Sequence, residues 1–195
     1  FLLSIAYHSS RSGCVSEKVI YPWLWDGGKK SPDHEMISRL GDEIALKIPT
    51  WDGQGFYYSA NSQSRRGNAH DWLYSQTGCV QYLIEVGTSD MQTDDVELIE
   101  DTIFNNMQGL LHLLKRGAGT NIQNGPDPYQ ITGVVKDIYG NSIDAEVKIL
   151  ELDGPMLKPR FTDDFGRYRR LLVEGTYNML ITADGFEPYE YEFVA

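Results

Sequence analysis

The sequence predicts an α/β unit, an open sheet flanked by helices, followed by a small all-β sandwich. Three observations carry this. Two apolar runs of strand length each end in a polar residue, at His8 and at Glu85. Two amphipathic segments with helical spacing lie along the same half of the chain. From Tyr129 onward the helical period vanishes, and only short alternating segments separated by turns remain.

The first run is Phe1–Ala6, continued by Tyr7, His8 and Ser9. After a Gly- and Ser-bearing loop comes Val19-Ile20-Tyr21-Pro22-Trp23. Ser31-Pro32 then reads as a helix start: Ser31 the N-cap, Pro32 the first helical residue, Asp33 and Glu35 in the positive first turn. Met36, Ile37, Leu40, Ile44, Ala45 and Ile48 form its apolar face, and Pro49 ends it. Trp51 to Asp71 is polar and Gly-bearing, a long surface loop around a short extended piece. The strand Val80–Val86 follows. A second helix is expected from about Thr93 to Arg116, with Val96, Ile99, Ile103, Met107, Leu110, Leu111 and Leu114 on one face and Gly117 as its stop. Residues 119–128 read as a linker between a unit spanning 1–118 and a β-sandwich spanning 129–195.

Composition narrows the function. The formal net charge is −11 with no basic stripe, which argues against a nucleic-acid partner. No apolar stretch is long enough to span a membrane. Two cysteines, Cys14 and Cys79, do not make a disulfide scaffold, and their spacing is not a local metal or redox motif. An opening inside an apolar strand suggests a piece of a longer protein.

His8 and Glu85 each close a buried-type strand, the end of an open α/β sheet where ligands bind. A histidine and a carboxylate delivered there from two strands suggest a metal ligand beside a general base. The alternative for Glu85 is a structural carboxylate paired with an upstream basic residue.

The motifs around these residues resemble the zinc metallocarboxypeptidases of the pancreatic carboxypeptidase-like family. The matching blocks are Leu3-Ser-Ile-Ala-Tyr-His8-Ser9 with Tyr21-Pro22-Trp23, and Asp71-Trp72-Leu-Tyr74 with Gly78 and the strand to Glu85. Beyond residue 129, Gly133-Val-Val, Asp137, Gly140, Thr162-Asp163, Gly166, Tyr168, Tyr177 and Gly185-Phe186 are similar to transthyretin-like modules that follow such domains. The resemblance implies a mixed sheet flanked by helices, corresponding to the C-terminal half of the catalytic domain.

It also implies zinc-dependent hydrolysis of the C-terminal peptide bond of a peptide or protein. His8 would be the third Zn²⁺ ligand, Glu85 the catalytic base, and Ser9, Tyr58 and His70 the substrate-binding residues. Tyr58 stands for the family's substrate-covering tyrosine, whose usual position is Gln63 here. His70 precedes Asp71-Trp72 in the family's specificity pocket, where nearby Arg65 and Arg66 would favour an acidic or polar terminal residue. The family's His-x-x-Glu ligands and its carboxylate-clamping arginine lie upstream of the third ligand and are absent here, so an upstream half of the domain is an expected partner and these residues alone are expected to be inactive. The competing expectation is a non-catalytic peptide- or partner-binding protein derived from a carboxypeptidase. Relatives are usually exported, which implies a secreted or periplasmic location. The turn acids Asp163 and Asp164 read as solvated carboxylates rather than as a calcium site.

Overall fold

A computed structural model describes residues 3–9, 16–23, 28–62, 68–87, 94–120 and 129–195. Four strands, β1 (Leu3–Ser9), β2 (Lys18–Tyr21), β3 (Tyr58–Asn61) and β4 (Val80–Val86), form one sheet in the order β1-β4-β2-β3. β1 runs parallel to β4, β2 runs antiparallel to β4, and β3 runs parallel to β2. The sheet is therefore mixed.

Side-chain alternation divides the sheet into two unlike faces. Val80, Tyr82 and Ile84 of β4, with Val19 and Tyr21 of β2, are buried under α1 (His34–Ala45). Met36, Ile37, Leu40, Ile44 and Ala45 meet them at helical spacing, with Ile48 just beyond, which is the apolar face expected for this helix. Tyr82 donates from its hydroxyl to the Ile37 carbonyl at 2.9 Å, so the ring's polar end is satisfied inside the core. α3 (Val96–Ala118) packs beside α1 at Gly109, where no Cβ holds it away from Ile44 and Ile48. The opposite alternation positions, among them Gln81, Leu83 and Glu85, are only half-buried.

Helix boundaries depart from expectation at both helices. The cap of α1 is Asp33, not Ser31, because the Asp33 carbonyl accepts from Ile37 N–H at 2.9 Å while the chain at Ser31-Pro32 is still turning. α3 runs through Gly117 and stops at Gly119, whose φ of 78° supplies the left-handed residue that ends the helix. Asp95 caps its start, accepting from Leu98 N–H at 3.2 Å. Within 51–71, β3 is the short extended piece expected there, and residues 69–71 form the first turn of α2 (Ala69–Thr77), which the composition did not announce.

Residues 129–195 contain strands only: β5 (Gln130–Val134), β6 (Glu146–Ile149), β7 (Arg167–Leu171), β8 (Thr176–Thr182) and β9 (Tyr189–Val194). They pair antiparallel as β5-β7 and as β6-β8-β9. Val147, Ile149, Tyr177 and Met179 of one sheet share an apolar cluster with Ile131 and Tyr168 of the other. Asp163 orders its turn by accepting from Phe165 N–H, Arg167 N–H and the Arg167 guanidinium.

The two parts of the chain share a core. Leu157 and Leu171 belong to the same buried cluster as Met36 and Ile37. Beside them Asp33 is wholly buried, accepting from Arg170 at 2.8 and 3.2 Å, Arg160 at 3.2 Å and the Tyr74 hydroxyl at 2.6 Å. Arg170 Nη1 also donates to Asp153, lying 2.8 Å from Oδ1 and 2.7 Å from Oδ2. Burial opposes the charge on Asp33, but the two guanidiniums and the tyrosine outweigh it and hold its pKa below the ordinary value. Arg169, next in sequence to Arg170, donates to the Gly117 carbonyl at the end of α3 at 2.8 Å. Nearly all of the 119–128 segment lies outside the described residues.

Candidate active site

Strand pairing brings four side chains into one row across the sheet. His8 of β1 is opposite Glu85 of β4, Glu85 is opposite Lys18 of β2, and Lys18 is opposite Tyr58 of β3. Paired positions in neighbouring strands project to the same face, so the four side chains share the face that α1 does not cover. His8 and Glu85 lie at the C-terminal ends of parallel neighbours, roughly 4.8 Å apart in the pairing direction. His8 and Tyr58 are exposed, whereas Glu85 and Lys18 are half-buried.

Glu85 is the most tightly held of the four. Its Oε2 takes a short hydrogen bond from the Ser16 hydroxyl and an ion pair with Lys18 Nζ at 3.1 Å. Burial pushes its pKa up, but Ser16, Lys18 and the nearby His8 together bring it below the usual glutamate value. The carboxylate is thus ionised at neutral pH, as a proton acceptor must be. Lys18 is the upstream basic partner that a structural carboxylate would also use, so the pairing alone serves both roles.

The remaining candidates are placed differently. Ser9 follows His8 on β1 and projects to the opposite face by strand alternation. His70 lies in the first turn of α2 at 6% exposure, with Nε2 at 3.7 Å from Asp71 Oδ1, and burial lowers its pKa. The Ser62 hydroxyl donates to the same Asp71 oxygen at 2.9 Å. His70 is therefore packed inside rather than aligned with the row. Gln63, Arg65 and Arg66 lie outside the described residues, as does Cys14. Cys79 is a buried free thiol whose pKa is raised by burial.

Sequence reasoning missed Lys18 and Ser16. Lys18 was detectable in principle: in Lys18-Val-Ile-Tyr21 the period of two sets it on the face opposite buried Val19 and Tyr21. Ser16 reaches Glu85 across 69 positions, and no local pattern announces that contact.

A zinc centre needs about three protein donors around the ion. Among the described residues no group of three or more His, Cys, Asp or Glu side chains is assembled in that way. His8 offers one imidazole, so the described residues by themselves do not fit a zinc ion. Among them no helix is long and apolar enough to cross a membrane.

No curated protein matches the chain in a sequence comparison. The family model described as zinc carboxypeptidase, Peptidase_M14, matches residues 1–107, which is more than half of the 195. That span carries the whole mixed sheet, the row from His8 to Tyr58 and the first half of α3. The chain belongs to the zinc carboxypeptidase family.

Proposed function

We propose that residues 1–118 are the C-terminal part of a zinc carboxypeptidase catalytic domain that hydrolyses the C-terminal peptide bond of peptides or proteins. Residues 119–128 link it to a transthyretin-like β-sandwich, residues 129–195. The observation that carries this reading is the register of His8 opposite Glu85 at the C-terminal ends of adjacent parallel strands. His8 is this chain's share of the metal site, and a segment upstream of it brings the other ligands. Zinc held there would supply Lewis-acid polarisation of the scissile carbonyl.

Glu85 then holds the proton. Its carboxylate, kept ionised by Ser16 and Lys18, accepts a proton from the attacking water and passes it to the departing amine. Tyr58 stands in the same row, two strands from Glu85 or roughly 10 Å, at the distance of a residue that covers substrate rather than one that exchanges its proton.

The test is made on the full-length product of the gene. It is expected to release the last residue of a blocked peptide, to lose that activity to a chelator, and to contain zinc by elemental analysis. Glu85→Gln is expected to lower kcat by about 10²–10⁴ with zinc retained. His8→Ala is expected to lose the zinc. A metal-free, chelator-insensitive protein that still binds peptide would overturn the enzyme reading in favour of a binding protein.

A further inference from the structure

Among the described residues, the two layers of the β-rich part are unequal. Three strands, β6, β8 and β9, face a layer of only two, β5 and β7. The uncovered strand is β9. Its Tyr189 and Tyr191 stand opposite Ile181 and Met179 of β8, so they project to the same inner face. They are nevertheless 58 and 49% exposed. Glu190 and Glu192 alternate onto the other face. Between the two tyrosines and β5 opens a cleft of about 430 Å³, the size of a small ligand site, whose walls include Val134, Val135, Met179 and Ile181.

The edge of β5 over this cleft is open. β5 pairs with β7, and among the described residues no strand lies on its other side. Val135 N–H donates to the Gly166 carbonyl at 2.8 Å and Leu172 N–H to the Tyr129 carbonyl at 3.0 Å, so the odd-numbered residues along β5 are those bonded toward β7. Thr132, Val134 and Lys136 therefore turn their N–H and C=O groups outward, and all three are exposed. Lys136 also stands at the rim of the cleft. Among the described residues no carboxylate pairs with its ammonium. Asp137 beside it is taken up by its own turn, accepting from Tyr139 N–H, Asn141 N–H and the Asn141 amide, each at 2.8 Å.

We propose that the outer edge of β5 and the cleft beneath it receive an extended segment of a partner polypeptide, which becomes the third strand of the β5-β7 sheet. Main-chain bonds to Thr132, Val134 and Lys136 hold the segment, and its alternate side chains select it. Inward positions are apolar and fill the cleft against Tyr189, Tyr191 and Ile181. Outward positions are polar, with a carboxylate opposite Lys136. Every strand pair in this part of the chain is antiparallel. Addition in the same sense puts the acid at the N-terminal end of the segment, because Lys136 follows the C-terminal end of β5. A second copy of this chain does not fit. Pairing β5 with its own copy would bring two β9 strands, each projecting past β5, into one space, and β5 carries no acid to meet Lys136.

Fluorescence anisotropy of a labelled peptide reads this surface on the full-length gene product. The probe is a short peptide blocked at both ends, with aspartate first and valine and threonine alternating after it; its twin has lysine in place of the aspartate. Neither carries a free terminal carboxylate, so the outcome does not depend on peptidase activity. Saturable binding of the aspartate peptide is expected, with the twin weaker by about three- to fivefold. Lys136→Glu is expected to invert that preference. Val134→Pro removes one outward N–H while sparing the bonds to β7, and is expected to weaken binding about tenfold with the melting transition retained. Glu192→Pro makes the same change at the outer edge of β9 and is expected to leave the affinity within about twofold. Absence of saturable binding, equal affinity for the two peptides, or undiminished binding by Val134→Pro overturns the proposal. Loss in Glu192→Pro with Val134→Pro unaffected overturns it in favour of the β9 edge, and self-association that displaces the peptide overturns it in favour of a second copy.

Discussion

Asp33 and Glu85 are two carboxylates held ionised by basic partners, and their surroundings give them opposite weight in stability. Glu85 and Lys18 keep contact with water, so their pair contributes no more than about 1 kcal/mol. Lys18→Met is therefore expected to change the unfolding free energy by less than about 1 kcal/mol in a urea titration. Asp33 is sealed beneath two guanidiniums, and removing its charge leaves Arg170 with Asp153 alone. Asp33→Asn is expected to cost roughly 3–5 kcal/mol by the same titration. Its folded pKa is depressed, so this stabilisation is complete above the ordinary carboxylate value near 3.9 and is lost as the pH falls below it. Stability measured from pH 5 downward is expected to fall less steeply in Asp33→Asn than in wild type. None of this was visible in the sequence, where Asp33 reads as a favourable charge in a first turn. Its partners are 127 and 137 positions away, and no local rule reaches that far.

Among the elements, α3 carries the clearest contrast. Its length and its apolar stripe were legible from the spacing of Val96 through Leu114, yet its buried side was not. Helical periodicity reports that a helix has an apolar face, not whether the surface for that face belongs to the residues at hand. The two interior glycines of α3 are expected to respond with opposite signs. At Gly109 an added methyl would stand 2.7 Å from Ile48 Cδ1, so Gly109→Ala is expected to destabilise by about 1–3 kcal/mol as α1 and α3 are forced apart. At Gly117 the nearest atom is at 3.6 Å and the conformation is helical, so Gly117→Ala is expected to gain up to about 1 kcal/mol. Thermal melts of the two variants against wild type decide both. The sheet was more legible than the helices' partners, since the runs ending at His8 and Glu85 both became strands. Their antiparallel and parallel neighbours were not, because register depends on contacts that the alternation of one strand does not encode.

For the whole molecule, the change of period at residue 129 marks a change of architecture but not of cooperativity. Leu157 and Leu171 complete a core begun by α1, and Arg169 and Arg170 hold the end of one helix and the start of another. A single calorimetric transition is expected for the 195-residue chain, and a chain cut after Thr120 is expected to lose cooperative unfolding altogether. Two separate transitions would show that the parts fold independently. Composition had marked two units with a linker between them; the shared core depends on how they dock, and docking leaves no periodic trace. The cut between Asp33 and its partners also has a temporal side. On a ribosome adding about 5–20 residues each second, Arg170 follows Asp33 by roughly 7–30 s. Through that interval the emerging polypeptide displays Asp33 and the apolar side of α1 without Leu157, Leu171 and the arginines that bury them, so this core closes only once the β-rich part has been made.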